Sequence, residues 1–338
     1  MDVFSYWQGF YNNLWFWQFP MATLAISMAA FLVVAIPWTV VAWLDPLSLR
    51  KYKIQQKPFE MKKFLLPSIG RIVVKNLILA TLLVVSWPLL QLTGVHKGTL
   101  PVWYIIIAQL IFFVLLDDFL YYWMHRYMHE NKWLLRHIHS VHHRIRNTCG
   151  INGNYMHWIE YSLTATLTLV GPILLGAHIY VVWMWVILRQ VEGADGHIGY
   201  DIPWNPVHLL PMYQGPIYQG PIYHDFHHAK FKGNYAGFLP YLDKYLGKTH
   251  IPAYLRYLKA KKQGLTPLEI EQGELQAQKN KKTATSSIGL SKKSPSTAPK
   301  GRVKTKALQN SSVFDIFVPK CITAISANKE PKMMALVV

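Results

Sequence analysis

The chain has 338 residues, 51% of them hydrophobic and only 15% charged, with a formal net charge of +18. So few charged residues cannot cover a soluble domain of this size, and two cysteines supply neither a disulfide framework nor a thiolate metal site. The Lys and Arg concentrate in 50–71 and after residue 258, beside apolar blocks. That placement fits the positive-inside pattern and attraction to anionic lipid, and no basic-aromatic recognition motif supports a nucleic-acid surface.

In chain order, 3–44 carries no charge. Its tryptophans Trp7, Trp15 and Trp17 suit the headgroup level, and a true span is expected over about 20–44. The first residues lack the Lys or Arg of a cleaved signal peptide, so the stretch is read as retained. Uncharged runs at 76–95 and 100–116 predict two further spans. A fourth apolar block, 161–188, is interrupted near Gly171-Pro172 and Gly176 and is expected to be a hairpin of two short halves. With 50–71 cytosolic, the N-terminus is lumenal, and 117–150 and 189–250 return to the cytosolic face.

From about Gln263 the composition shifts to Lys, Ser, Thr and Pro, which reads as disorder. A tandem Tyr-Gln-Gly-Pro-Ile at 213–222 reads as a loop duplication. The expected architecture is an all-α, polytopic membrane helical bundle of about four spans or span-hairpins. It has an N-terminal membrane region (1–116), a catalytic region (117–250, with the hairpin) and a basic, disordered tail (251–338). A cytosolic helical cap carries a histidine-rich dimetal site.

That site rests on histidine spacing. His125 and His129 stand i, i+4; His139, His142 and His143 stand i, i+3, i+4; His224, His227 and His228 repeat the triplet. Residues three and four apart share a helical face, so each group is expected to aim its imidazoles at one point. No packing rule asks for such triplets twice, and eight imidazoles exceed what one ion uses, so two ions are expected. His96, His137, His178, His208 and His250 are read as bystanders. Among carboxylates, Asp118 lies two helical turns before His125 and is expected to accept its free N–H. Glu160, three after His157, has the same claim there; Asp225, inside the third box, is a further candidate.

The combination resembles the fatty-acid hydroxylase and sterol desaturase superfamily, whose pattern is His-x3-His, His-x2-His-His and a second His-x2-His-His. The match runs from about Asp117 to Thr249 and is most similar to C-4 methylsterol oxidases. It rests on DDFLYYWMHRYMH, GINGNYMHWIEY, EGADGHIGYDIPW and HDFHHAKFKGNYAGFLPYLDKYLGKT. The duplication and Trp158, where a proline is common, depart from that pattern.

The resemblance adds His157 and His197 to the metal ligands and implies two non-haem irons, using O2 and two electrons. The electrons would come through cytochrome b5 from an NAD(P)H-dependent reductase. It further implies an endoplasmic reticulum membrane location and oxidation of the C-4 methyl group of sterol intermediates. Other activities of the superfamily share the same ligands: C-5 sterol desaturation, fatty-acid hydroxylation and wax-aldehyde processing. A rival from a different class is a non-catalytic membrane metal binder or carrier; a transporter would need ligands along the spans, and a haem protein would need histidines facing one another across two spans.

Overall fold

The computed structural model describes residues 3–205 and 220–290. His208 and most of the 213–222 duplication lie outside the described residues. After helix α1 (Val3–Tyr11), the Asn13 side chain caps a new start by accepting from the Trp15 amide at 2.9 Å. A short turn, Leu14–Phe16, and a wide turn over Trp17–Met21 lead into α2 (Ala22–Leu44). The next helices are α3 (Met61–Leu90) and α4 (Trp103–Glu130).

Leu14–Leu44, α3 and α4 are the three helices, among the described residues, long and apolar enough to cross a membrane. Only 17% of the apolar window of each is buried. Side chains such as Val33, Trp43, Leu66 and Leu77 are exposed. Water would not tolerate that surface, and hydrocarbon does, so the chain is a multi-pass membrane protein.

Two of these helices exceed the expected spans. α3 begins at Met61 rather than residue 76, taking Lys62, Lys63, Arg71 and Lys75 into the helix. Long basic side chains can lay their stems along an apolar helix, so charge did not mark its end. Lys75 is buried and donates to the Asn154 carbonyl at 2.7 Å. α4 continues through Asp117 and Asp118 to Glu130, 14 residues beyond the expected end of the third span at residue 116, so the first histidine pair lies on the same helix as that span.

Beyond α4 come α5 (Lys132–His137) and two 3-10 turns, His139–Arg144 and Gly150–Asn154. Two helices of 17 residues each, α6 (Trp158–Leu174) and α7 (Ile179–Asp195), replace the apolar block 161–188. Gly176 turns the chain between them at φ +52°, a left-handed conformation that glycine adopts freely. α8 (Gly220–Lys230), α9 (Pro252–Lys261) and α10 (Pro267–Leu290) complete the described chain.

α2 packs along α7, and Gly150–Asn154 presses into the same helix; a Cβ on Gly150 would collide with the Ala35 carbonyl. Phe16, Phe19, Trp87, Phe113, Trp185 and Phe238 form one core among the spans. Tyr122, Tyr223, Tyr235, Tyr254, Tyr257 and Ile270 form a second, which pins α8 and α9. Pro252–Lys261 and Pro267–Leu290, read from composition as part of a disordered tail, are helices. The tyrosines of α9 supply the buried apolar area that composition after residue 263 did not show.

Candidate metal centre

Among the described residues, nine histidines converge in two groups. His125, His129, His139, His143 and His227 form one; His142, His197, His224 and His228 form the other. Within each group the ligand nitrogens all lie within 4.8 Å of one another. The triplets do not each aim at one point, as the spacing argument expected. His139 and His143 join the first group while His142 joins the second, and α8 sends His227 to the first and His224 with His228 to the second. Adjacent side chains on a helix diverge by about 100°, so the last two histidines of each triplet cannot share a focus. The tighter 3-10 turn at His139–Arg144 changes the directions again.

The backbone fixes the protonation pattern. Nδ1 of His125 lies 2.7 Å from the Tyr235 carbonyl, His227 2.8 Å from Gly233, and His228 3.0 Å from Ile145. His142 reaches the Tyr155 carbonyl at 3.2 Å and His197 that of Gly193 at 2.7 Å. A carbonyl only accepts, so these imidazoles donate from Nδ1 and present Nε2 lone pairs to the interior. His139 does the same through the Glu160 carboxylate, 2.7 Å from its Nδ1.

The inward nitrogens crowd together. Nε2 of His139 lies 2.8 Å from that of His129 and 2.9 Å from that of His143. His228 Nε2 is 3.1 Å from His142 and 3.2 Å from His197. Between two Nε2 atoms whose rings carry their proton on Nδ1 there is no hydrogen to share, so such contacts repel unless a cation lies between. Nitrogens about 2.1 Å from a common ion stand about 3.0 Å apart at right angles and about 3.4 Å apart in a tetrahedron. The buried Nε2 atoms of His125 and His224 also have no hydrogen-bond partner among the described residues. The residues present therefore fit two metal ions, one per group.

Electrostatics agree. Burial pushes His142, His224, His227 and His228 well below the ordinary imidazole range, and neighbouring imidazoles lower them further. His197 is pushed down to about 4 by burial, opposed by its bond to Gly193. All stay neutral at physiological pH, the form that binds metal.

The structure corrects four expectations. His157 joins neither group: it is partly exposed and caps α6, its Nδ1 accepting from the Ile159 amide at 3.2 Å. His157→Gln is accordingly expected to keep full metal content and near-normal turnover, checked by metal analysis and assay at matched expression. Glu160 serves His139, not His157. Asp118 does not reach His125, because seven residues of helix span about 10 Å along the axis. Instead its Oδ1 accepts from the Phe238 and Leu239 amides at 2.8 and 3.1 Å, fixing the strand of chain after the third box. Asp118→Asn should cost about 1–3 kcal/mol of stability, seen as a lower Tm in detergent, with little change in metal stoichiometry. Asp225 accepts from Gln55 at 3.0 Å and touches no imidazole.

The bystanders have structural partners. His137 stacks on Trp133, and His178 Nε2 lies 3.0 Å from the Gly98 carbonyl. His96 pairs through its backbone with Ala177 and Ile179, and His250 stacks on Tyr254. The carbonyls that orient the imidazoles are what spacing alone missed. Two of them belong to Gly233 and Tyr235, and Asp243 holds that turn by accepting from the Tyr235 and Ala236 amides at 3.1 and 2.7 Å. Gly233 is required there: its φ is +79°, and a Cβ would collide with the Thr249 carbonyl.

Comparison with known proteins agrees with this geometry. Residues 110–248, the segment carrying both histidine groups, match the fatty acid hydroxylase family. Very-long-chain aldehyde decarbonylase GL1-11 of Oryza sativa subsp. japonica is 37% identical over 204 residues, 58% of this chain and 73% of that protein. Methylsterol monooxygenase 1-3 of Arabidopsis thaliana is 34% identical over 240 residues, 66% of this chain and 74% of that protein. Methylsterol monooxygenase 2-1 of the same plant is 34% identical over 177 residues, 49% of this chain and 65% of that protein. No solved structure matches the chain. Histidine pattern, site geometry and relatives together establish that this membrane protein belongs to the fatty acid hydroxylase superfamily of oxidoreductases.

Proposed function

We propose that the protein is a di-iron methylsterol monooxygenase, oxidising the C-4 methyl group of sterol intermediates. The observation that carries the reading is a cavity among the spans. Phe19, Leu24, Phe31, Leu79 and Leu83 line it at the membrane helices, and His142, His197 and His224 line it at the metal centre. A lipid can therefore reach the histidines without crossing water.

Bound by the two histidine groups, iron would supply activation of O2. The chain's own residues do the rest. The Nδ1 bonds to carbonyls and to Glu160 hold the rings in place, and the apolar walls orient the substrate and exclude water. Each hydroxylation of a methyl group consumes one O2, two electrons and two protons, and yields an alcohol and water. The electrons come from cytochrome b5 and its NAD(P)H reductase on the cytosolic face of the endoplasmic reticulum membrane. The basic segments 50–71 and beyond 258 support that orientation.

The sterol assignment is supported by the methylsterol monooxygenase that aligns over 66% of the chain. The higher identity, 37%, to the rice aldehyde decarbonylases favours a second reading, with a very-long-chain aldehyde as substrate. Expression in cells lacking their C-4 methyl oxidase separates them. Loss of accumulated C-4 methylsterols upholds the first; unchanged sterols with consumption of a supplied long-chain aldehyde overturn it in favour of the second.

A further inference from the structure

The cavity has a charged and phenolic wall, and that wall abuts the histidines. Tyr121 lies one turn before His125 on α4, with its ring centroid 5.2 Å from that of His125. Arg189 and Glu192 lie on the turns of α7 before His197, and all three line the cavity with Tyr121. The Arg189 guanidinium stands 5.0 Å over the Tyr121 ring. It is already engaged by two carboxylates: Asp117 Oδ2 at 3.0 Å from Nε, and Glu192 Oε2 on Nη1. The set therefore carries a formal excess of one negative charge.

Two groups on this wall remain open. The Tyr121 hydroxyl has no hydrogen-bond partner among the described residues, and the second oxygen of Glu192 carries no bond either. Both belong to residues that face the cavity. With the Tyr121 and His125 rings 5.2 Å apart, a ligand atom bonded to the phenol can stand within a few bond lengths of a carbon held at the histidines.

Resting on the reading that this cavity holds the substrate, we propose that Tyr121 and Glu192 bind an alcohol oxygen lying a few bonds from the carbon to be oxidised. The phenol donates to that oxygen, and the carboxylate accepts its proton. The pairing selects an uncharged lipid alcohol and disfavours a carboxylate, which would face the excess negative charge without a free cation. A sterol with a hydroxyl beside its methylated carbon has this layout.

The test is equilibrium binding to the full-length protein in detergent, with metal content measured in parallel. The probes are a radiolabelled 4-methylsterol and its 3-deoxy analogue. The wild type is expected to prefer the alcohol about tenfold, the value of one or two buried hydrogen bonds. Tyr121→Phe should remove most of that preference, leaving only what the Glu192 bond contributes, with affinity for the deoxy sterol and the bound metal unchanged. An undiminished preference overturns the proposal, and so does an equal loss for both sterols, which would show a packing role. If the wild type binds neither sterol, a long-chain primary alcohol and the alkane of equal length replace them. A tenfold preference largely lost in Tyr121→Phe then upholds the anchor although the sterol reading has failed; no preference overturns the anchor as well.

Discussion

Protein carrying glutamine in place of His142 should hold about one metal ion per chain where the wild type holds about two, and should turn lipid over at least ~100-fold more slowly. The asymmetry of the centre leads to this choice. The group containing His142 has four imidazoles, and the other has five. Losing one of four leaves three, and His142 also faces the cavity by which substrate arrives. Its Nε2 lies 3.1 Å from that of His228 and 3.4 Å from that of His197, so its removal opens a position beside both. A glutamine side chain preserves some polarity but cannot place a nitrogen lone pair there while donating to the Tyr155 carbonyl.

His143→Gln should be milder, because four imidazoles remain in its group and its Nδ1 has no partner to lose. Metal analysis and turnover at matched expression check both variants. Retention of two ions by His142→Gln would refute the assignment of the four-histidine group to an ion of its own.

How far the sequence revealed this centre depends on the range of the interaction involved. The boxes were visible because i, i+3 and i+4 spacing is a local property, and eight of the nine clustered histidines lie in them. Their partition was not visible. Whether His142 or His143 turns to a given ion depends on the 3-10 geometry of residues 139–144, which spacing does not encode. His157 was drawn in through the resemblance, together with Glu160 three residues later. In the fold, His157 caps the helix that Glu160 then uses to reach His139, 21 residues back in the chain. Asp118 misses His125 for a local reason: the two share a helical face, but the helix rises about 10 Å between them. The long apolar spans were legible as charge-free runs, but their ends were not, since Lys75 sits buried in α3 among groups that no local window contains.

The second large effect belongs to Glu160. Its Oε1 accepts from His139 Nδ1 at 2.7 Å, and both side chains are buried. The carboxylate does two things for that ring: it holds the tautomer that exposes Nε2, and it makes the imidazole a stronger donor to a cation. Burial opposes ionisation of this carboxyl, and Lys75 offsets part of that penalty from nearby, its Nζ donating to the Asn154 carbonyl at 2.7 Å and lying 3.8 Å from the Tyr161 ring centroid. Glu160→Gln keeps the shape and removes the charge, and an amide can turn its NH2 toward Nδ1 and favour the wrong tautomer. Metal affinity of the five-histidine group should fall about 10–100-fold, with turnover falling in step. Competition with a chelator measures this directly, because one of the two ions should leave at lower chelator concentration while the other is retained. The same titration on Glu160→Asp should give an intermediate result, since the charge survives but the reach shortens by one methylene. If Glu160→Gln releases metal at the wild-type chelator concentration, the carboxylate only fills space beside His139, and the orientation of that ring must be set by the packing of residues 139–144 alone.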